Sequence, residues 1–220
     1  MIDDNAITIY LAKMEEVKRR LAFSEQQLFD YGKTKDVHYL ENSILHLRKV
    51  LESIAYTSIA PNKEAYSELR VRADKPADFR KDYNGRKILD QLAMVNKDFY
   101  PIPLEKPNQV GPNQWHFERK KKDFLTKKRF ERVYDRLGKY LHSDNPWDND
   151  KGYLNLAKEL PAIYNEIRTL LSLHFTVIRD GRFGGVWVID FGSHSSPARV
   201  ITAMAKGDFT VNKRLDGDRE

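Results

Sequence analysis

An arginine and a histidine, six positions apart at the end of a predicted helix, are the best candidates for chemistry in this sequence. Arg136 and His142 lie in the stretch FERVYDRLGKYLHSDNPW, residues 130–147. A histidine with an ordinary pKa of about 6.5 can give or take a proton at neutral pH. An arginine can hold a phosphate and offset the negative charge that builds on its oxygens. One arginine and one histidine are the smallest set of side chains that would cleave RNA without a metal ion.

Ideal helix geometry does not place these two side chains on one face. Six steps leave their directions roughly 120° apart and separate them by about 9 Å along the axis. Asp135, Gly138 and His142 share a face instead, at three- and four-residue steps. Arg136 would have to wrap round the helix, or meet a histidine of a second subunit across a two-fold axis. Gly138 would allow close approach there, although glycine costs about 1 kcal/mol relative to alanine inside a helix.

Positive charge is concentrated just before this pair. The chain has a net charge of +6, and residues 118–132 contain eight Lys or Arg against three acidic residues. A phosphate-bearing partner is one explanation, and a solvated helix face is the other. Six residues of this basic segment are the candidate nucleic-acid contacts: Lys120, Lys121, Lys122, Lys127, Lys128 and Arg129.

The composition of the 220 residues is typical of a soluble globular protein, with 40% hydrophobic and 32% charged residues. The absence of cysteine excludes disulfides and thiolate metal sites, and it favours a cytoplasmic location. No apolar run approaches the roughly 20 residues that span a membrane, and no signal peptide is recognisable. Glycine-rich phosphate loops and metal-binding motifs are missing, so we expect neither a cofactor nor a metal ion.

Apolar residues at three- and four-residue steps predict five helices. They cover residues 5–30, 36–60, 86–99, 118–142 and 153–173. Arg48 and Glu52 lie four apart on the flank of the second helix. They form either a surface ion pair worth about 0.3–0.5 kcal/mol, or part of a pocket beside Arg136 and His142.

The remaining segments predict loops and strands. Residues 100–117 hold four prolines, which predicts a long loop or a loop that contains a short hairpin. Residues 174–179 and 185–191 flank a glycine-containing turn and predict a hairpin, and residues 200–204 predict a third strand or a short helix. The fold class is mainly α: an antiparallel helical bundle with a small C-terminal β-hairpin or three-stranded meander. The predicted domains are a helical bundle at 1–173, a β appendage at 174–206 and a charged tail at 207–220.

The spacing of Arg136 and His142, late in an all-helical domain, resembles the HEPN superfamily (higher eukaryotes and prokaryotes nucleotide-binding). The segment LRKVLESIA, residues 47–55, is similar to an early helix of some HEPN families. The resemblance covers roughly residues 36–175. It implies a four- to five-helix bundle, a homodimer that brings two Arg/His motifs into one cleft, and metal-independent endoribonuclease activity. It also implies a role in toxin–antitoxin or phage-defence systems, with RNA as substrate and an antitoxin or defence protein as partner. The resemblance makes Arg136 and His142 the catalytic pair, and the supporting residues are Asp135, Arg48 and Glu52.

Two binding functions compete with catalysis. A non-catalytic binding or regulatory module is favoured by Leu137, which stands where active HEPN members often have a polar residue. The proline-containing loop and the C-terminal strands also favour it. Sequence-independent nucleic-acid binding would instead use residues 120–132.

A purely structural role is the last alternative. Arg136 would then bind carbonyls near the helix end or pair with Asp135 or Asp144. His142 would pack under Trp147. Both side chains would be sealed from solvent in that case.

Overall fold

Regular apolar spacing gives six α-helices in the computed structural model, which describes residues 4–72, 82–143, 147, 152–180, 183–193, 195–206 and 210–213. The helices are α1 (Asp4–Thr34), α2 (Val37–Ile59), α3 (Lys63–Arg72), α4 (Gly85–Val95), α5 (Lys127–Tyr140) and α6 (Tyr153–Leu171). The strands are β1 (Ile102–Pro103), β2 (Asn108–Gly111), β3 (Gln114–His116), β4 (Leu173–Asp180), β5 (Phe183–Asp190), β6 (Arg199–Lys206) and β7 (Thr210–Lys213). None of the helices in these ranges combines the length and the apolar character that crossing a membrane requires.

The first two helices form a hairpin and contribute much of the core. Lys35, with a φ of 62°, and Asp36 make the tight connection. The Asp36 carboxylate accepts a hydrogen bond from the N–H of His38 at 3.0 Å, which caps α2. The fully buried residues of the hairpin include an apolar stripe at three- and four-residue steps: Met14, Val17, Leu40, Ile44, Leu47, Leu51 and Ile54.

The predicted fold class, mainly helical with antiparallel strands near the C-terminus, is confirmed. The helix predicted over residues 86–99 ends earlier, at Val95, and α3 is an addition to the five predicted helices. The largest error is the start of one helix. The helix predicted over residues 118–142 begins only at Lys127, where the Thr126 hydroxyl accepts a hydrogen bond from the N–H of Arg129 at 3.2 Å. Residues 118–126 lie outside any helix, and Arg119 forms a β-bridge with Leu104. Backbone pairing with a distant segment therefore overrides the helical periodicity of the basic segment.

The strands form one antiparallel sheet in the order β1-β4-β5-β6-β7-β3-β2. The predicted C-terminal hairpin is β4–β5, and residues 200–204 lie in strand β6. The hairpin left open within the proline-containing loop is β2–β3. The sheet is thus larger than expected and draws strands from both sides of the boundary predicted at residue 173. Most of the predicted tail, 207–220, lies outside the described residues, which there include only β7.

The sheet curls until its two sides meet. The N–H of Leu104 donates to the Leu173 carbonyl at the start of β4, at 2.8 Å. The N–H of Glu105 donates to the carbonyl of Glu118, just beyond β3, also at 2.8 Å. Residues 104–105 continue β1, and they bond to β4 on one side and to the segment that follows β3 on the other. They therefore join β1, the first strand of the sheet order, to β3, the sixth. The inner face encloses a second, smaller core: Leu104, Phe117, Phe175, Val186, Val188 and Ala203.

The outer face of the sheet packs on the helices through a buried polar contact. The ring of Tyr10 in α1 meets Trp187 edge-on, with centroids 5.8 Å apart. His174 lies 2.8 Å through Nδ1 from the Leu171 carbonyl and 2.7 Å through Nε2 from the Tyr10 hydroxyl. A carbonyl can only accept, so Nδ1 carries the proton and Nε2 accepts from the tyrosine. Burial lowers the pKa of His174 to about 4, although the bond to Leu171 opposes the shift, and the ring is neutral.

Candidate functional site

Arg136 projects from α5 toward α6 and forms an ion pair with Glu159. Its side chain is 37% exposed, so it is not sealed from solvent. Burial disfavours its charge, but hydrogen bonds to Glu159 and Tyr140 outweigh burial and raise the pKa of Arg136. Asp135, a supporting residue in the prediction, pairs with Arg86 of α4 instead. The charge of Arg136 is therefore held by the neighbouring helix and not by the adjacent aspartate.

A pocket of about 210 Å³ lies between α5 and α6. Three arginines line it at three- and four-residue steps along α5: Arg129, Arg132 and Arg136. Glu159 is the acidic residue of the lining, and Arg129 Nε lies 3.2 Å from a carboxylate oxygen of Glu166. The remaining lining is apolar: Val133, Leu137, Leu156 and Ile163. The cationic groups of this lining suit a ligand that carries phosphate.

His142 lies two residues after Tyr140, the last residue of α5, and its side chain is exposed. Because the chain has left the helix there, the ideal-helix angle between Arg136 and His142 no longer applies. Trp147 is 91% exposed as well, so the two side chains are not sealed from solvent as a purely structural role would require. Asp144, the other acidic partner considered for Arg136, lies outside the described residues.

Arg48 and Glu52 support α5 from a different side. The Arg48 Nη1 donates to the carbonyl of Tyr134 at 2.9 Å, and its guanidinium lies 3.9 Å from the centroid of that ring. Glu52 accepts from the Tyr134 hydroxyl at 3.0 Å and lies 3.5 Å from Arg48 Nε. A Cβ at Gly138 would lie 2.5 Å from Arg48 Nη1. The close approach at Gly138 is therefore made by an arginine of the same chain, and these two residues do not line the α5–α6 pocket.

The helical half of the basic segment is partly neutralised. Lys127 forms ion pairs with Glu131 and, at 3.4 Å, with Asp90. Lys128 is exposed. Of the three predicted contacts on α5, Arg129 is the one that reaches the pocket of Arg136.

The non-helical half of the basic segment lies beside the sheet and not on α5. Lys120 Nζ donates to the hydroxyl of Ser172 at 3.2 Å, where α6 ends and β4 begins. Lys121 and Lys122 are exposed. The six predicted nucleic-acid contacts thus fall into two groups instead of one stripe.

Sequence reasoning missed two parts of this site. Glu159 is separated from Arg136 by 23 positions, and no local spacing rule connects them. Arg132 belongs to the basic segment but is not one of the six predicted contacts, although its spacing from Arg129 and Arg136 places all three on one helix face. In the described ranges, no group of three or more His, Cys, Asp or Glu residues is placed to hold a metal ion.

No family model, curated protein or solved structure matches this chain. The HEPN resemblance therefore stays a prediction that depends on Arg136, His142 and residues 47–55. The geometry between α5 and α6 is what supports a function.

Proposed function

We propose that this chain is a HEPN-type endoribonuclease that cleaves RNA without a metal ion, as a cytoplasmic toxin or phage-defence effector. Arg136 holds the scissile phosphate and His142 acts as general acid or base. The observation that carries the proposal is the partly exposed Arg136 in a pocket it shares with Arg129 and Arg132, close in sequence to an exposed histidine.

The reaction needs two proton transfers. The 2′-hydroxyl loses a proton and attacks the neighbouring phosphorus, while the leaving 5′-oxygen gains one. The products are a 2′,3′-cyclic phosphate and a 5′-hydroxyl. One His142 can serve one of these steps, and a two-fold homodimer would supply a second histidine for the other. Arg136 offsets the charge that develops on the phosphate oxygens.

The ion pair between Arg136 and Glu159 must open for a phosphate to bind. Both side chains are well exposed, at 37% and 43%. Ion pairs of this kind contribute roughly 0–1 kcal/mol. A phosphate that gains Arg136, together with the flanking Arg129 and Arg132, can replace the Glu159 carboxylate at little cost.

The proposal is tested by incubating the protein with RNA in EDTA and analysing the ends of the products. We expect cleavage that leaves 2′,3′-cyclic phosphates and is abolished by Arg136→Ala and by His142→Ala. His38→Ala is the matched control, because His38 is also an exposed histidine, 80% exposed at the start of α2. Equal activity in wild type and His142→Ala would exclude His142 from the mechanism.

The second candidate is a non-catalytic module on the same scaffold, which binds an antitoxin or defence-system protein. Two observations favour it: Arg136 already forms an ion pair with Glu159, and Leu137 is buried. This function predicts a stable complex with the partner and no cleavage of RNA in EDTA. Cleavage that depends on Arg136 and His142 would contradict it.

A further inference from the structure

A larger cavity, of about 670 Å³, opens inside the curled sheet. It extends from the small core of the inner face, since both share Leu104, Phe117 and Val188. Ile201, on β6, is 43% exposed, and Trp115, on β3, is partly buried. The cavity therefore presents apolar and aromatic surface to solvent in a concave site, which is typical of small-ligand sites.

The cavity also carries charges of both signs. Its cations are Lys106 and Lys120, and its carboxylates are Glu105 and Asp190. Lys120 is placed by its bond to Ser172, another lining residue. Asp190 accepts a hydrogen bond from the N–H of Gly192 at 2.9 Å, which leaves its second oxygen for a ligand. The site thus combines anion-binding groups with acceptors beside an aromatic ring.

We propose that this cavity binds a nucleotide, either free or as an unpaired residue of a single strand. A base would stack on Trp115, and Lys106 and Lys120 would hold the phosphate. Glu105 and Asp190 would accept hydrogen bonds from amino groups of the base or from ribose hydroxyls.

The two carboxylates decide between a nucleotide and a fatty acid. A long-chain carboxylate would fill the apolar surface and pair with one lysine. Unlike a nucleotide, it has no hydrogen-bond donor for Glu105 or Asp190. A nucleotide offers a flat ring, several N–H and O–H donors and an anion, which complements all three parts of the lining.

The proposal does not depend on cleavage at Arg136 and His142. It is tested by isothermal titration of the His142→Ala variant, which by the ribonuclease proposal leaves RNA intact. The ligands are AMP, CMP, a single-stranded RNA hexanucleotide of mixed sequence and decanoate. Binding of AMP or CMP would identify a site for free nucleotides. Binding of the hexanucleotide alone would identify a site for a base within a strand.

Two substitutions assign the binding to the cavity. Trp115→Ala removes the stacking surface and is expected to weaken binding at least fivefold, the lower end of about 1–3 kcal/mol per stacked base. Trp115→Phe keeps a ring and should restore most of the affinity. Lys106→Glu, at an exposed loop position, should weaken binding by about tenfold. Lys87→Glu is the matched control, because Lys87 is exposed on α4 and does not line the cavity.

Three results would overturn the proposal. The first is unchanged nucleotide affinity when Trp115→Ala and Lys106→Glu are each added to the His142→Ala protein. The second is no binding of any nucleotide by the His142→Ala protein itself. The third is binding of decanoate in place of nucleotides. If Trp115→Ala does not fold, as judged by circular dichroism, Lys106→Glu decides alone. Every titration uses the His142→Ala protein, so the titrations do not measure cleavage. A failure to bind nucleotides therefore leaves the ribonuclease proposal standing, and a failure to cleave RNA leaves the nucleotide proposal standing.

Discussion

The guanidinium of Arg48 occupies the space beside Gly138 that a side chain would need. Arg48 reaches from α2 to α5, donates to the backbone carbonyl of Tyr134 at 2.9 Å and stacks on its ring. A Cβ at Gly138 would lie 2.5 Å from Arg48 Nη1. The glycine in the helix that carries Arg136 therefore serves the packing of α2 against α5. This contact fixes the orientation of the helix that presents the candidate site.

We expect Gly138→Ala to destabilise the protein, although alanine is the better helix former. The methyl group displaces Arg48, which loses a charged hydrogen bond worth about 1.5–3 kcal/mol and a cation–π contact worth about 0.5–1 kcal/mol. The gain in helix propensity is only about 1 kcal/mol. The free energy of unfolding should therefore fall by roughly 1–3 kcal/mol, as measured by urea denaturation.

The sign of this effect should reverse when the arginine is absent. In an Arg48→Ala background, Gly138→Ala meets no guanidinium and should stabilise α5 by about 1 kcal/mol. A double-mutant cycle measures the difference. If Gly138→Ala has the same effect in both backgrounds, the two residues do not interact as described.

The helical part of the fold is largely predictable because its signals are local. The apolar stripe of α2 lies within one segment, and the capping carboxylate of Asp36 is two positions from the N–H it accepts. The basic segment was misjudged for the opposite reason. Its first residues are not helical, since Arg119 pairs with Leu104, and the curled sheet joins β1 to β4, about 70 positions away. Hydrophobic periodicity carries no information about such pairings.

The candidate site was predictable only in part for the same reason. The types and spacing of Arg136 and His142 are visible in the sequence, whereas Glu159 becomes a partner of Arg136 only when α6 packs beside α5. The aromatic cavity was not predicted, because Trp115 and Ile201 meet through strand pairings between distant segments.

We expect Glu159→Gln to raise the affinity for RNA and the rate of cleavage at low substrate concentration. The substitution removes the carboxylate that competes with phosphate for Arg136. An exposed pair contributes up to about 1 kcal/mol, which limits the gain to about fivefold. Glu68→Gln is the control, because Glu68 forms a similar exposed pair with Arg72 at 3.6 Å on α3. Loss of cleavage in Glu159→Gln would show instead that the ion pair holds Arg136 in its working position.

RNA binding by the His142→Ala protein should weaken steeply as salt increases, because lysines and arginines release counterions from phosphates. Reversing two exposed charges, with Lys121→Glu and Lys122→Glu together, should lower the affinity and reduce the slope of log K against log salt by about 0.7 per lost contact. The matched control reverses Lys33 and Lys35 at the end of α1. Binding that does not respond to salt would rule out a contribution of the basic segment.

The buried His174 should make the protein less stable in mild acid. Burial lowers its pKa to about 4 in the folded state, against about 6.5 in the unfolded chain. The unfolded state therefore binds more protons between these values, and the free energy of unfolding falls as the pH falls from about 6.5 to 4. The full shift corresponds to about 3 kcal/mol.

A variant without the imidazole separates this effect from the titration of carboxylates. His174→Gln is expected to be less stable than wild type at pH 7, because the bonds to Tyr10 and Leu171 are disturbed. It should nevertheless lose less stability than wild type between pH 6.5 and 4, since it has no ring to protonate. Urea denaturation at both pH values measures the difference. An equal loss in the two proteins would show that His174 is not held neutral by the contact between the sheet and α1.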